Sequence, residues 1–532
     1  MGVAVPAVRV RQTLVKRFAL LAVPTLIAAN LAVVSSTRSA EAGGSLDAVN
    51  VQVLGGPVGN ITSSPLSLSP SFDQSITDYV LRCHSGINSI QLTLSAVSRG
   101  TIAVGKNRGS SVTVEESLIE NQALIISGPA QGGSNGASHQ DHVGQADSAQ
   151  SWGHAQYWIR CLPDDFPQLS VARFGSPMPG WYVTGNVTTR GSATYAMVLN
   201  VNGTPVWYRK PSGTGAIDVT PLPDGTIAWK SNVDGFEDYN LRTQATRWIF
   251  APIPPTDLHE LHPMANGHLM MMASPLRSNF DLSGLGLSAN ATIVDCVLEE
   301  VDSGGALVWQ WRASDHISGS ESTHPASMVV GSAVVFDVFH CNSIDTNPAS
   351  NSVLVSVRHA DAVYGIDKGT GAIKWKLGGT PNNADGARIL TIKDDPNAAF
   401  HGQHDARFQP NDDISMYDNE TWDTSLAARG VEYHLDVQAG TAALVWSYKS
   451  PDGHNSAATG SFRRLAGGAD NVIGWGFKLG TLFTEVDQAG RVVLNVTFPN
   501  GEGAYRVIKV SATTFGLQLL RTTAGLPPAV VT

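Results

Sequence analysis

Three histidines stand at similar points of the chain, each where a strand-like stretch begins. They are His259, His340 and His404, and 145 residues separate the first from the last. A neutral imidazole can act as a nucleophile, as a general acid or base, or as a metal ligand. A single histidine of this kind is more often a structural hydrogen-bonding group. Three of them, at the same position of successive repeats, predict a shared active site.

A permanently charged side chain, Arg358, ends the apolar stretch that follows His340. Its guanidinium offers paired donors, which beside neutral imidazoles suit a tetrahedral oxyanion such as sulfate or phosphate. The alternative is an ordinary surface arginine on a strand. His401, three residues before His404, is a second candidate nucleophile. Polar residues nearby are expected to support the site, and among them only Arg407 is expected to reach an anion: Asp405, Arg407, Asp418 and Asn419.

Two sequence elements that alternate along the chain predict the scaffold for these side chains. One is a small-residue turn followed by an apolar run that ends in tryptophan, at Trp207, Trp248, Trp309, Trp375 and Trp446, with a sixth copy ending in Leu494. The other is a turn followed by an apolar strand. Six alternations predict a β-propeller of four-stranded blades, closed by pairing of 504–510 with the strand near Trp181. Equivalent positions of such a ring converge on its axis, so the three histidines can meet.

The rest of the chain divides by composition. Residues 1–42 have a basic start, an apolar run and a small-residue end, which is typical of a cleaved export signal that leaves no stable membrane span. Residues 43–168 have the short alternating stretches of an immunoglobulin-like or cadherin-like β-sandwich, with a low-complexity loop at 128–153. Residues 169–532 form the predicted propeller. The net charge of −10 over 532 residues makes a nucleic-acid partner improbable.

The four cysteines fit an exported protein. Cys83 and Cys161 each end a similar strand-like stretch, which predicts a disulfide that closes the small N-terminal domain. Cys296 and Cys341 lie in different segments. A second disulfide and two small buried thiols are equally compatible with their positions.

Five segments together resemble the bacterial and fungal arylsulfotransferases: 257–267, 339–345, 353–359, 366–379 and 403–408. The resemblance covers roughly residues 170–510. It implies an exported six-bladed propeller with an N-terminal β-sandwich. The implied activity moves a sulfuryl group from a phenolic sulfate ester to a phenol, without phosphoadenosyl phosphosulfate and without a cofactor. Its partners are a small aryl sulfate and a phenol.

The resemblance also implies roles for individual residues. His404 matches the position that carries a covalent sulfohistidine, which leads to ping-pong kinetics. His259 and His340 match histidines that hold sulfate oxygens or handle the phenolic proton. Arg358 and Asn342 match oxygen-binding groups. A family threonine has no secure match, and the nearest candidates are Thr459 and Ser461.

Three other functions are compatible with the sequence. One is a quinoprotein-like, cofactor-dependent propeller enzyme, which a bound chromophore would reveal. Another is a secreted propeller that binds aryl compounds or glycans without turnover. The smallest possibility is a zinc site held by the three histidines, because three imidazoles with an open position are typical of catalytic zinc. The interpretation adopted from the sequence has no metal.

Overall fold

The structure is a computed structural model in which the chain is nearly all β. It describes residues 49–129, 154–188, 193–465, 469–478, 480–499 and 501–524, all within a unit that spans Ala42–Thr532. The predicted export signal at 1–42 lies outside these residues, as does the low-complexity loop apart from Gly128 and Pro129. Among the described residues, no helix is long and apolar enough to cross a membrane.

The described residues before 163 form nine strands: β1 Val49–Gly55, β2 Val58–Ser64, β3 Asp78–Arg82, β4 Ile87–Ala96, β5 Ile102–Val104, β6 Asn107–Gly109, β7 Ser111–Ile119, β8 Ala123–Pro129 and β9 His154–Leu162. They form a six-stranded sheet in the order β3-β9-β8-β1-β5-β6 and a three-stranded sheet in the order β2-β4-β7. Alternate residues of β4 are buried, and Leu92 of one sheet shares a core with Ile126 of the other. The predicted Cys83–Cys161 disulfide is confirmed, with Cα atoms 5.5 Å apart.

The second part of the chain begins with strands β10 to β25 and one short helix. Their bounds are β10 Ser170–Arg173, β11 Trp181–Gly185, β12 Ala196–Leu199, β13 Pro205–Arg209, β14 Ile217–Pro221, β15 Thr226–Lys230, β16 Phe236–Asn240, β17 Thr246–Ile249, β18 Thr256–Pro263, β19 Leu269–Ala273, β20 Leu276–Phe280, β21 Ala291–Val294, β22 Val297–Val301, β23 Leu307–Arg312, α1 Ala313–His316, β24 Ala326–Val330 and β25 Ala333–Asp337.

The remaining strands and a second helix follow. Their bounds are β26 Cys341–Asn347, β27 Ser352–Val357, β28 Ala362–Asp367, β29 Ile373–Gly378, β30 Arg388–Lys393, β31 His404–Phe408, β32 Asp413–Asp418, β33 Arg429–Asp436, β34 Thr441–Lys449, β35 Ser461–Arg464, β36 Asp470–Gly474, β37 Thr481–Asp487, β38 Val492–Thr497, β39 Val507–Val510 and α2 Leu517–Thr523.

Most of these strands fall into antiparallel groups of four, in the orders β39-β11-β12-β13, β14-β15-β16-β17, β18-β19-β22-β23, β26-β27-β28-β29, β31-β32-β33-β34 and β35-β36-β37-β38. Strand β30 pairs in parallel with β29 and β34 and so joins two of these groups into one nine-stranded sheet, and β10 adds a fifth strand beside β38. Each repeated tryptophan of the sequence lies in the fourth strand of its group. The last strand among the described residues, β39, pairs with β11, with Val510 opposite Trp181, so the predicted pairing of this segment with the strand at Trp181 is confirmed. Closure satisfies edges that would otherwise be exposed.

The first strands of consecutive groups pack against one another. Strand β14 contacts β18, β18 contacts β26, β26 contacts β31, β31 contacts β35, and β35 contacts β39. Four of them are irregular, because the register shifts within β14, β18, β26 and β31. His340, Asp405 and Thr459 adopt left-handed backbone with φ of +51°, +57° and +60°. Such a conformation is unfavourable for residues other than glycine and is concentrated at functional sites. The three predicted histidines lie in or directly before these first strands.

An additional sheet in the order β20-β21-β25-β24 is inserted beside this arrangement. Its strands β21 and β25 run parallel, with Val294 opposite Asp337. A second disulfide, Cys296–Cys341, follows directly and joins the start of β22 to β26, with Cα atoms 6.1 Å apart. The structure therefore decides between the two interpretations of these cysteines in favour of a bond.

Candidate active site

His404, the first residue of β31, is held in one orientation by its Nδ1 atom. Nδ1 lies 2.7 Å from Oδ1 of Asn419 and 3.0 Å from the carbonyl of Gly402. The Asn419 amide donates through its own nitrogen to the carbonyl of Thr459 at 2.8 Å, which leaves Oδ1 as the acceptor. Two acceptors at Nδ1 place the proton there and leave the lone pair on Nε2. Burial, reinforced by Arg358, lowers the pKa of His404 well below its usual value, so the ring is neutral.

The Nε2 lone pair of His404 meets a main-chain donor. The N–H of Thr459 points at it from 3.1 Å. The next residue, Gly460, has φ +109°, and a Cβ there would lie 2.3 Å from the Tyr417 ring, so this turn requires glycine. The Thr459 hydroxyl donates elsewhere, to the carbonyl of Ala504 at 3.2 Å. Thr459 therefore faces His404 with its backbone and not with its side chain.

The other two histidines are backed by carboxylates. Nδ1 of His340 lies 2.5 Å from Oδ2 of Asp337, and Nδ1 of His259 lies 2.6 Å from Oδ1 of Asp257. Their rings meet edge to face with centroids 4.9 Å apart. Burial lowers the pKa of His340, and the Asp337 carboxylate opposes that shift. A carboxylate at Nδ1 orients an imidazole and stabilises its protonated form, which suits proton transfer at Nε2.

Arg358 lies in the turn after β27 and connects these histidines to the His404 segment. Its Nη1 donates to Nε2 of His359 at 3.0 Å, and its Nη2 donates to the carbonyl of Ala457 at 3.1 Å. The guanidinium also lies over the Trp422 ring, 4.8 Å from its centroid. It is 8% exposed, and its Nε has no hydrogen-bond partner among the described residues. Burial lowers the pKa of Arg358 to about 10, so it stays charged at neutral pH.

His359 occupies the position between Arg358 and His340. Its ring centroid is 4.6 Å from that of His340, and its Nδ1 donates to the Asp337 carbonyl at 2.8 Å. Burial, with His340 nearby, lowers the pKa of His359 to about 3. Asp337, His340 and His359 present ligand atoms close enough together for a metal ion. A cation there would compete with the guanidinium that already donates to Nε2 of His359, so this arrangement favours an anion.

Asn342 and Ser461 are buried and bind protein groups. The Asn342 amide donates to the carbonyl of Gln403, next to His404, at 2.7 Å. Its Oδ1 has no partner among the described residues. The Ser461 hydroxyl donates to the Val507 carbonyl at 3.2 Å and accepts from the Val507 N–H at 3.0 Å. Asn342 braces the loop directly before His404, whereas Ser461 joins two neighbouring strands.

His401 lies outside the histidine cluster and pairs with an acid. Its Nδ1 is 2.9 Å from Oε2 of Glu420, and that hydrogen bond raises the pKa of His401. Its side chain is 32% exposed. A raised pKa favours the protonated ring, which has no lone pair to attack with. The geometry therefore favours His404 over His401 as a nucleophile.

A buried ion network fastens the strands that carry the site. The residues directly after two of the site histidines are Glu260 and Asp405, and successive strand residues point to opposite faces. Nη2 of Arg407 lies 2.7 Å from both carboxylates, and Arg506 pairs with Glu260 and with Asp218. Burial alone would raise the pKa of Glu260, but Arg407 and Arg506 bring it down to about 2. Arg407, expected from the sequence to reach an anion, is held in this network.

A continuous series of contacts thus runs from His259 through His340, His359 and Arg358 to the turn that faces His404. The sequence interpretation overlooked three of the participants, Asp257, Asp337 and His359. A signal existed for the two acids, because each stands two or three residues before its histidine. His359 offered none, since only the turn at Arg358 brings it beside His340.

A model of the arylsulfotransferase family, Arylsulfotransferase (ASST), matches residues 179–495, and the chain belongs to this family. No curated protein matches the chain. Similar solved structures include a catalytically inactive virginiamycin B lyase from Staphylococcus aureus, at 10% identity over 62% of this chain and 89% of that one, with a TM-score of 0.33.

Two further structures are similar at the same level. TolB from Acinetobacter baumannii is 10% identical over 62% of this chain and 68% of its own, with a TM-score of 0.38. The periplasmic gluconolactonase PpgL of Pseudomonas aeruginosa is 11% identical over 63% and 100%, with a TM-score of 0.34. Scores this low define neither a shared fold nor a shared function.

Proposed function

We propose that this protein transfers a sulfuryl group from a phenolic sulfate ester to a phenol, with His404 as the covalent carrier. Family membership supports arylsulfotransferase activity in general. The observation that carries the specific proposal is that the three histidines differ in the group that binds Nδ1. His259 and His340 have a carboxylate at Nδ1, whereas His404 has an amide. Two histidines are thereby suited to proton transfer, and one is suited to remain a neutral nucleophile.

The proposed architecture is a six-bladed propeller at 169–532 that follows an N-terminal β-sandwich at 43–168. Six antiparallel groups of four strands, with successive first strands in contact, support the blade count. Two sheets that share one core support the sandwich. Export through the segment at 1–42 is part of the proposal, and two disulfides fit an oxidising compartment.

In the first half-reaction, Nε2 of His404 attacks the sulfur of the ester. The new N–S bond forms as the bond from sulfur to the aryl oxygen breaks, and the phenolate takes the Nε2 proton of His340 or His259 in its imidazolium form, which becomes neutral. Negative charge on the sulfuryl oxygens develops next to Arg358 and next to the Thr459 N–H. That N–H is available because the attack uses the Nε2 lone pair to which it was hydrogen-bonded. Sulfuryl transfer resembles phosphoryl transfer, so positioning and electrostatic stabilisation account for most of the rate.

In the second half-reaction, a phenol enters where the first product left. The histidine that gave up its proton now removes one from the phenol, and the phenolate oxygen attacks the sulfur. The N–S bond breaks and returns its electron pair to Nε2 of His404. Donor and acceptor use the same pocket in turn, which gives ping-pong kinetics.

The test is to incubate the purified protein with p-nitrophenyl sulfate, without acceptor, and to locate the sulfuryl adduct by peptide mass spectrometry. We expect one adduct per chain on His404 that disappears when phenol is added. The variant His404→Gln should form no adduct, and His401→Gln should still form one.

His434→Gln is a matched control, because that histidine also binds a carboxylate, Oδ1 of Asp413 at 2.8 Å, on the exposed part of β33. It should leave the adduct unchanged. An adduct on another residue would refute the assignment of His404. Absence of any adduct and of phenolate release, across several aryl sulfates, would refute the proposed function and favour a binding protein.

A further inference from the structure

We propose that the Cys296–Cys341 disulfide is a positioning element of the active site, which holds His340 in its proton-transfer geometry. The inference rests on the proposed role of His340 in that transfer. Cys341 is the residue between His340 and Asn342, and its bond leads out of β26 to the start of β22. The disulfide thus joins the histidine segment to a neighbouring sheet.

The bond anchors one end of a short turn whose other end is anchored by the same partner segment. Asp337, which binds Nδ1 of His340, lies opposite Val294 in the parallel pairing of β21 and β25. Cys296 follows Val294 by two residues and holds Cys341. The stretch from Asp337 to Cys341, which contains both members of the acid–histidine pair, is therefore fixed at both ends to residues 294–296.

That anchoring segment is itself held firmly. Asp295, between its two contact points, accepts from Arg312 at 2.9 Å and from the Ser314 hydroxyl at 2.6 Å. Its other oxygen accepts the N–H of Cys296 at 2.9 Å. A carboxylate that is fully buried and bound in this way keeps its backbone in place. Residues 294–296 can therefore hold the turn from Asp337 to Cys341 rigidly in place.

The turn needs this rigid support because its backbone conformation is energetically unfavourable. His340 has φ +51°, and the register of β26 against β27 shifts between Cys341 and Ser343. Conformations of this kind persist only where the surroundings enforce them. Two hydrogen bonds also hold the turn from the far side, from Arg358 N–H to the His340 carbonyl at 3.1 Å and from His359 N–H to the Phe339 carbonyl at 3.0 Å.

The ring of His404 is held from outside this turn, although Asn342, the neighbour of Cys341, donates to the Gln403 carbonyl. The ring is fixed by Asn419, Gly402 and Thr459, none of which belongs to the turn. Breaking the disulfide should therefore damage proton transfer more than nucleophilic attack. A donor with a poor leaving group needs the proton, whereas p-nitrophenolate leaves with little help.

The test compares two double variants. In Cys296→Ser with Cys341→Ser, we expect kcat/KM for phenyl sulfate to fall about tenfold or more, while the p-nitrophenolate burst falls by less than about threefold. The matched control is Cys83→Ser with Cys161→Ser, which removes the other buried disulfide and should leave the ratio of the two donors unchanged. A corresponding pair of alanine variants repeats the test if buried serines impair folding.

The same comparison is available without replacing Cys296 or Cys341, by reducing the Cys83→Ser, Cys161→Ser variant, in which Cys296–Cys341 is the disulfide that remains. Dithiothreitol supplies two electrons and two protons to the two sulfurs and becomes a cyclic disulfide, and reoxidation should restore phenyl sulfate turnover. Equal losses for both donors, or no loss after proven reduction, would overturn the proposal.

A measurement that does not depend on enzymatic activity separates this proposal from the proposed function. Amide hydrogen exchange of Arg358 and His359 reports their bonds to the turn, and it should accelerate in the 296/341 variants but not in the 83/161 control. If the unmodified protein forms no sulfuryl adduct, the proposed function fails while this measurement still decides the positioning role. Unchanged exchange at both amides would overturn that role.

Discussion

Asn419 fixes the tautomer of His404, the proposed nucleophile, and Asn419→Asp should change the pH dependence of sulfuryl transfer. The substitution keeps the side-chain shape but replaces the amide oxygen, 2.7 Å from Nδ1 of His404, with an anionic one. An opposite charge at such a distance raises a histidine pKa by about 1 to 3 units, and both side chains here are shielded from water. His404 would then be protonated at pH values where it is normally neutral.

The sign of the effect follows from the lone pair. Protonated His404 carries hydrogen on Nε2 and cannot attack sulfur, so the rate should fall as pH drops through the raised pKa. In the unmodified protein, burial together with Arg358 keeps the pKa of His404 well below its usual value. The acid limb of its pH–rate profile therefore lies at lower pH than the acid limb of the variant. The variant also loses the hydrogen bond to the Thr459 carbonyl, at a cost of about 1 to 3 kcal/mol.

The assay is a stopped-flow p-nitrophenolate burst without acceptor, recorded over the pH range in which both proteins stay folded. This donor needs little protonation, so the burst reports the nucleophile. Asn495→Asp is the matched control, since the Oδ1 of Asn495 accepts from the Thr484 hydroxyl at 2.8 Å and binds no histidine. An acid limb that does not move in Asn419→Asp would refute the assigned tautomer and with it the role of His404.

Three further outcomes are expected. Asp337→Asn keeps the shape beside His340 but removes the charge, so turnover of phenyl sulfate should fall about 100-fold while the p-nitrophenolate burst persists; an equal loss in both would contradict a proton-transfer role. Arg358→Lys loses the planar donors, and kcat/KM should fall about 100-fold; an unchanged value would mean that Arg358 does not bind the sulfuryl oxygens. Arg429→Met leaves the carboxylates of Asp395 and Asp418 buried without their cation. Urea titration should show a free energy of unfolding that is lower by about 3 to 5 kcal/mol. A loss under about 1 kcal/mol would show that these two ion pairs are dispensable.

Much of the scaffold was predictable because its information is local. A turn followed by an apolar strand ending in tryptophan recurs in the sequence, and each such tryptophan lies in the fourth strand of a four-stranded group. The pairing of the chain ends followed from the same repeat. The Cys83–Cys161 bond was predictable as well, because both cysteines follow similar strand-like stretches of sequence. The structure adds that the two strands, β3 and β9, pair in parallel.

The candidate site was predictable in its histidines and less so in their partners. Asp257 and Asp337 stand close to their histidines in sequence, but whether each acid meets its histidine depends on irregular backbone, a register shift in β18 and a positive φ at His340. Thr459 was one of two candidates for the threonine of the family, and the structure shows that the turn presents its main-chain N–H to His404. A φ of +60° at a threonine cannot be inferred from residue type.

The sequence by itself determined which chemical groups are available and that a repeated β unit brings them together. Its periodicity places His259, His340 and His404 at equivalent points, and strand geometry alone requires their neighbours to face away from them. Only the tertiary structure decided which histidine meets a carboxylate and which an amide, and that Cys296 bonds to Cys341. Those choices depend on register shifts and on contacts between sheets, where residues far apart in the chain meet through backbone that deviates from the regular strand.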